Sequence, residues 1–182
     1  MKPAMKNKGC SPAASPSEAL FHSLLRIFGL VRQVQEPYFA RFGISSAQWA
    51  VLRVLQRAES EGQGQRGLRL SEVGQRLFIQ PPSVTGVVDR LERRGLVKRS
   101  ESASDLRVRC LELTQPGRKL LAKVLVNHSG QIDSLFGGLT PEERQSLFNL
   151  LRPLEKHLRT LISLPPEVQS GKMESTRIDA RE

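Results

Sequence analysis

The stretch LSEVGQRLFIQPPSVTGVVDRLERRGLVKRSESASDLRVRCLELT, Leu70 to Thr114, decides the fold. Its spacing predicts two short helices followed by a two-stranded β-hairpin. Ser71 is placed to cap the first helix, Glu72 to about Leu77, with Leu70, Val73 and Leu77 facing inward. Phe78 and Ile79 make the turn. The second helix is expected to begin at Pro81 or Pro82, because a proline in the first turn gives up only an amide that has no partner there. Val84, Val87, Val88 and Leu91 then fall at i, i+3, i+4 and i+7 and make one apolar stripe. Ser83, Thr85, Gly86, Asp89, Arg90 and Arg93 lie off it, and Gly95 supplies a left-handed cap. Strands are expected at 96–99 and 108–113, joined by the polar segment Ser100 to Leu106. That segment exceeds a tight two-residue turn, so the hairpin is expected to project, carrying Asp105 and Arg107. A short helix with a small, hydroxyl-bearing N-terminal end and arginines further along suits a DNA major groove.

Charge points the same way. The formal net charge is +10, which favours nucleic acid or an anionic membrane surface as partner and says nothing of fold. Between Arg66 and Arg118 there are 11 basic and 6 acidic residues, so half of the excess lies in the helix-hairpin region. A solvated basic face is the ordinary reading of such a run. Its coincidence with a groove-sized helix favours nucleic acid. No apolar run approaches 18 residues, so no membrane span is expected, and no signal-type apolar core follows the N-terminal lysines. The chain reads as cytoplasmic.

Around this centre, residues 1–16 read as a Pro-, Ser- and Lys-rich disordered leader. Ser17 can cap a helix from about Glu18 to Ala40 with Leu20, Leu24, Ile27, Phe28, Val31 and Val34 on its stripe, and Pro37 is expected to kink or end it. Ser46 can cap the next, Ala47 to about Ala58, with Trp49 as a core anchor. Glu59 to Arg69 reads as a surface loop. Thr114 can cap a helix running from Gln115 into the 130s, with a break around His128-Ser129-Gly130. Thr140-Pro141-Glu142-Glu143 is a strong helix start. The helix it opens carries Pro153 inside, and Pro165-Pro166 stop it. Residues 165–182 read as a flexible tail. The first and last helices carry more apolar surface than a small domain can cover, which calls for an extra internal core or a second copy.

The runs VTGVVDRLERRGL (Val84–Leu96) and DLRVRCLELT (Asp105–Thr114), then Pro116-Gly117-Arg118, resemble the winged helix-turn-helix of MarR-type transcriptional regulators. GISSAQWAVLRVL resembles the helix before it. The likeness extends over about Ala19 to Leu161 and is strongest from Leu70 to Leu121. It implies a mainly α fold with a small β-hairpin wing, a winged helix-turn-helix flanked by N- and C-terminal dimerisation helices. The organisation it implies is a leader at 1–16, an N-terminal dimerisation helix at 17–45, the DNA-binding domain at 46–114, C-terminal dimerisation helices at 115–164 and a tail at 165–182.

By that resemblance the chain is a sequence-specific regulator, a ligand-responsive repressor, that binds a near-palindromic operator in double-stranded DNA as a homodimer. Gln80, Pro81, Pro82, Ser83 and Thr85 are placed at base edges. Gly86 stands where many relatives carry a longer polar residue. Arg90 is placed for phosphate or guanine, and Lys98, Arg99, Arg93 and Arg94 for phosphates. Arg107 is placed for a minor groove, with Asp105 orienting it. A small phenolic or lipophilic effector is a further implied partner. The competing readings are a non-specific architectural DNA-binding protein and a winged-helix module for RNA or protein.

Other chemistry has little support. Cys10 and Cys110 form no disulfide framework. Cys110 reads as a small buried hydrophobe, and peroxide sensing is a minor alternative for either thiol. His22, His128 and His157 lack metal-ligand spacing. No GxxxxGK, GxSxG or HExxH motif is present, so neither an enzyme nor a cofactor is expected.

Overall fold

The computed structural model describes residues 15–62, 67–78, 81–102 and 105–163. Two compact units divide the chain between Leu135 and Phe136. The first contains α1 (Pro16–Ala40), α2 (Ser46–Ser60), β1 (Leu68–Arg69), α3 (Leu70–Leu77), α4 (Pro81–Arg93), β2 (Val97–Ser102), β3 (Asp105–Leu113), α5 (Gln115–Leu125) and α6 (His128–Leu135). The second contains α7 (Pro141–Ser163).

The mainly α architecture with a small hairpin is as expected, but local boundaries differ for identifiable reasons. Ser15, not Ser17, caps α1, its hydroxyl accepting from the Glu18 amide, with Pro16 at the first helical position. Pro37 neither ends nor breaks α1, which runs to Ala40. The residues after it hold the last turn: Tyr38 and Phe39 are buried, Phe39 stacks on Trp49 at 5.3 Å, and the Tyr38 hydroxyl donates to the Val124 carbonyl. Ser45, not Ser46, caps α2, because Gln48 stands three residues after Ser45 and closes a reciprocal pair. Leu70 already belongs to α3, where the Glu72 carboxylate accepts from the Arg69 amide. Ser71 is therefore inside the helix and not its cap. α4 spans Pro81–Arg93, and Gly95 closes it at φ +66 with Leu96 N–H donating to Leu91 O. α5 stops at Leu125, and the break falls at 126–127, so His128, Ser129 and Gly130 open α6. Thr140 and Glu143 cap α7 reciprocally, and the helix continues through Pro153.

Three strands pair antiparallel in the order β1-β3-β2. β1 lies within the segment expected to be loop, where Leu68 pairs with Leu111 and Arg69 with Cys110. The β2–β3 hairpin is longer than expected. Ser100 pairs with Cys110, Glu101 with Arg109 and, after a shift, Ser102 with Asp105. Ser100, Glu101, Ser102 and Asp105, expected in the loop, are thus ladder residues. Their backbones pair across the hairpin and the Ser100 hydroxyl donates to Glu112.

The core of the first unit joins both helix-turn-helix elements to the sheet. Phe39, Leu52, Val73, Val84, Val88, Leu91, Val97, Leu113, Leu121 and Val124 are all buried. Each such side chain contributes about 1.5–3 kcal/mol on burial. Trp49 is buried against Phe39 and His128, as a core anchor should be. Cys110 is buried on β3. By contrast α1 leaves Leu20, Phe21, Leu25, Ile27, Phe28, Leu30 and Val34 exposed, and α7 leaves Leu147, Phe148, Leu150, Leu151, Leu158, Leu161 and Ile162 exposed. No helix among the described residues is long and apolar enough to cross a membrane.

Candidate nucleic-acid interface

The apolar stripe of α4 fixes which way the helix faces. Val84, Val88 and Leu91 are buried in the core, so the opposite ridge must face out. On that ridge Ser83, Arg90 and Arg93 are exposed, and Gly86 between them is half-buried. The guanidinium of Arg90 lies back along the helix toward Gly86. A Cβ built at Gly86 would stand 3.8 Å from Arg90 Nη1. The missing side chain at 86 therefore leaves the middle of the ridge low, with a cation beside it. Thr85 is half-buried on the flank.

A second flank of α4 is braced by the hairpin. Arg99 on β2 bridges two carboxylates of α4, donating to Asp89 at 2.6 Å and to Glu92. The Asp89 hydrogen bond, with the attraction of both acids, raises the Arg99 pKa further above its ordinary value. Lys98 pairs with Glu112 across the β2–β3 ladder at 3.0 Å. Glu112 also accepts from Ser100, and these partners hold its carboxyl below its ordinary pKa. Arg94, just past α4, donates to the Gly43 carbonyl and so ties the end of α4 to the turn before α2.

Of the residues singled out by sequence, Ser83, Thr85, Gly86 and Arg90 share α4. Lys98 and Arg99 stand on β2 with acidic partners of their own. Pro81 and Pro82 form the first turn of α4, and Asp105 and Arg107 belong to β3. Gln80, Cys10, most of the leader and all of the tail lie outside the described residues.

Sequence reading missed three features. Gln48 and Gly43 meet Arg90, Arg93 and Arg94 around one cleft of about 380 Å³. Arg118 on α5 pairs with Glu59 on α2 at 2.6 Å. A larger groove of about 720 Å³ runs between α1 and α2, lined by residues including Gly29, Arg32, Gln33, Glu36 and Ala47. None of these has a sequence signal, because each joins residues distant in the chain. Among the described residues no cluster of His, Cys, Asp and Glu is arranged to hold a metal ion.

Known proteins are similar to this chain in sequence and fold. A profile described as "MarR family" matches residues 42–107. The Bacillus subtilis HTH-type transcriptional regulator YkoM is 31% identical over 143 residues, covering 79% of this chain and 88% of that protein. The B. subtilis HTH-type transcriptional repressor YetL is 30% identical over 139 residues, covering 76% and 80%. Among solved structures, that of Bordetella bronchiseptica BpsR, whose DNA binding is regulated by 6-hydroxynicotinic acid, is 29% identical with a TM-score of 0.65. It covers 76% of this chain and 99% of that one. With a hairpin-braced helix presenting its polar ridge outward and relatives matched over most of their length, the chain belongs to the MarR family of helix-turn-helix transcriptional regulators, a class without enzymatic activity.

Proposed function

We propose that this chain represses transcription as a homodimer, binding a near-palindromic operator in double-stranded DNA and releasing it when a small aromatic or lipophilic effector binds. The observation that carries the DNA reading is the outward ridge of α4, with small residues toward its N-terminal end and Arg90 and Arg93 further along. Ser83 and Thr85, with Gln80, Pro81 and Pro82 ahead of them, read base edges. Arg90, leaning over Gly86, meets phosphate or guanine. Lys98 adds long-range attraction. Arg99 aims α4 through Asp89 and Glu92. Arg107 enters the minor groove, with Asp105 orienting it.

The exposed apolar faces of α1 and α7 support the homodimer. Phe28 is 65% exposed and Leu150 is 71% exposed, a state that water penalises. A two-fold pair of α4 helices matches half-sites about one helical turn apart. The effector reading is supported by the α1–α2 groove, whose Arg32 suits a carboxylate, and by the aromatic acid that regulates BpsR. Such a regulator works in the cytoplasm, where its DNA is.

Selection of bound DNA from a random pool tests the proposal, with sedimentation alongside. A recovered palindrome and a dimer at micromolar concentration support it. Equal binding to every duplex points to an architectural protein, and a stable monomer removes the two-fold reading.

A further inference from the structure

We infer that the cleft formed by Gly43, Gln48, Arg90, Arg93 and Arg94 seats a phosphate of the DNA backbone and fixes the register in which α4 enters the groove. This rests on the DNA-binding reading above and names a contact it leaves open.

The basic residues of this region are not equivalent. Arg99 is committed to Asp89 and Glu92, and Lys98 to Glu112. Arg94 is committed through one nitrogen to the Gly43 carbonyl. Arg90 and Arg93 form no ion pair among the described residues, and Arg93 keeps only a long 3.4 Å bond to the Asp89 carbonyl. Both are exposed, and both border the cleft of about 380 Å³ whose lining contains no acid.

Two of its residues, Gln48 and Gly43, are held in place. Gln48 is 7% exposed, and its side-chain oxygen is held by the Ser45 amide. Gly43 is held by Arg94 and stands at φ +68, a conformation that other residues adopt at a cost. An open cleft bordered by three arginines and no acid suits a phosphate, which accepts charge-assisted hydrogen bonds from several donors at once. Phosphate could arrive on a duplex backbone or as a free phosphorylated molecule. The cleft adjoins the outward ridge of α4, ten residues beyond Ser83. At 1.5 Å per residue, a helix with its N-terminal end at the bases carries Arg93 about 15 Å along, toward the sugar-phosphate wall. That placement favours the duplex.

The test compares wild type, Arg93→Ala, Arg93→Gln and Arg93→Lys on a duplex recovered from the random-pool selection and on an unselected duplex of equal length. The slope of log affinity against log salt is read for each, with thermal unfolding confirming the fold. The slope of Arg93→Ala should fall by about 0.9 for each phosphate no longer neutralised, hence by about 2 for a dimer. Arg93→Gln should match it, and Arg93→Lys should recover most of the slope. Both duplexes should weaken by about the same factor, so selectivity should be kept. A scan of neutral methylphosphonate linkages through the selected duplex should find one position per half-site that weakens wild type but not Arg93→Ala.

If wild type selects a duplex and Arg93→Ala and Arg93→Gln keep the full slope, the inference is wrong and the regulator reading stands. If wild type selects no duplex, the regulator reading itself fails. If inorganic phosphate at constant ionic strength binds wild type but not Arg93→Ala while the DNA slopes agree, the cleft serves free anions, which overturns the assignment to DNA.

Discussion

Arg99 on β2 and Asp89 on α4 are joined by a 2.6 Å ion pair that braces the hairpin against that helix. Both groups keep contact with water, so the pair contributes about 1 kcal/mol or less to folding. Its larger effect should be on direction. Arg99→Ala frees the carboxylates of Asp89 and Glu92 on the flank of α4, the helix proposed to meet polyanionic DNA. Tm is expected to fall by only a few degrees. DNA affinity should fall further than stability does, at selected and unselected duplexes alike. Unfolding and binding measured on one preparation check this, and unchanged affinity would limit the pair to a stabilising role.

Gly117 meets the Leu96 carbonyl, and a Cβ built there would lie 2.1 Å from that oxygen. No rotamer relieves such a clash, because both groups are backbone or Cβ. Gly117→Ala is expected to cost about 1–3 kcal/mol. Urea denaturation should show a lower midpoint at unchanged m. The wild-type midpoint would mean that α5 can shift freely at this end.

His128 is surrounded by Trp49, Tyr38 and Phe39, and its Nδ1 has no hydrogen-bond partner. Burial, then repulsion from Arg53, lowers its pKa below the ordinary 6.5. The unfolded chain therefore binds this proton more readily than the folded one. The full contribution of the neutral ring is present above pH 6.5. It is lost as pH falls from there to the lowered folded value, and the loss is then complete. His128→Phe keeps a ring in the aromatic cluster and removes the orphaned nitrogen. It should flatten stability over that window and leave the value at pH 8 equal or higher. Denaturation at several pH values decides, and an unchanged slope shows that another group titrates.

Phe28 lies on the wide apolar face of α1. Phe28→Glu should leave the first unit folded, because its core does not include this residue. Sedimentation should then show a monomer at micromolar concentration, with operator affinity falling by at least the two-site advantage, about 10²-fold. A dimer that persists would place the two-fold contact elsewhere.

The elements that local chemistry specifies were legible in the sequence. Pro81-Pro82 opens α4, Gly95 closes it and Val84, Val88 and Leu91 point inward, all as the spacing predicts. Thr140 with Glu143 is equally local. What failed depends on distant partners. β1 is two residues long and exists because β3 offers Leu111 and Cys110 to pair with. Ser100, Glu101 and Ser102 look like loop until a second strand satisfies their backbones. Ser17 and Ser46 were plausible caps, but Pro16 and Gln48 select Ser15 and Ser45. On α4, the buried and the exposed face were legible. The division of arginines between structural partners and open cleft was not, since Gly43 and Arg94 lie 51 residues apart.

One hydroxyl joins α4 to α5. Thr114 Oγ1 accepts from the Gly117 amide at the start of α5 and donates to the Gly95 carbonyl just past the end of α4. A displacement of α5 at this end must carry the end of α4 with it or break one of the two bonds. The joint works as a linkage pin, so a shift at the N-terminal end of α5 is transmitted to the C-terminal end of α4.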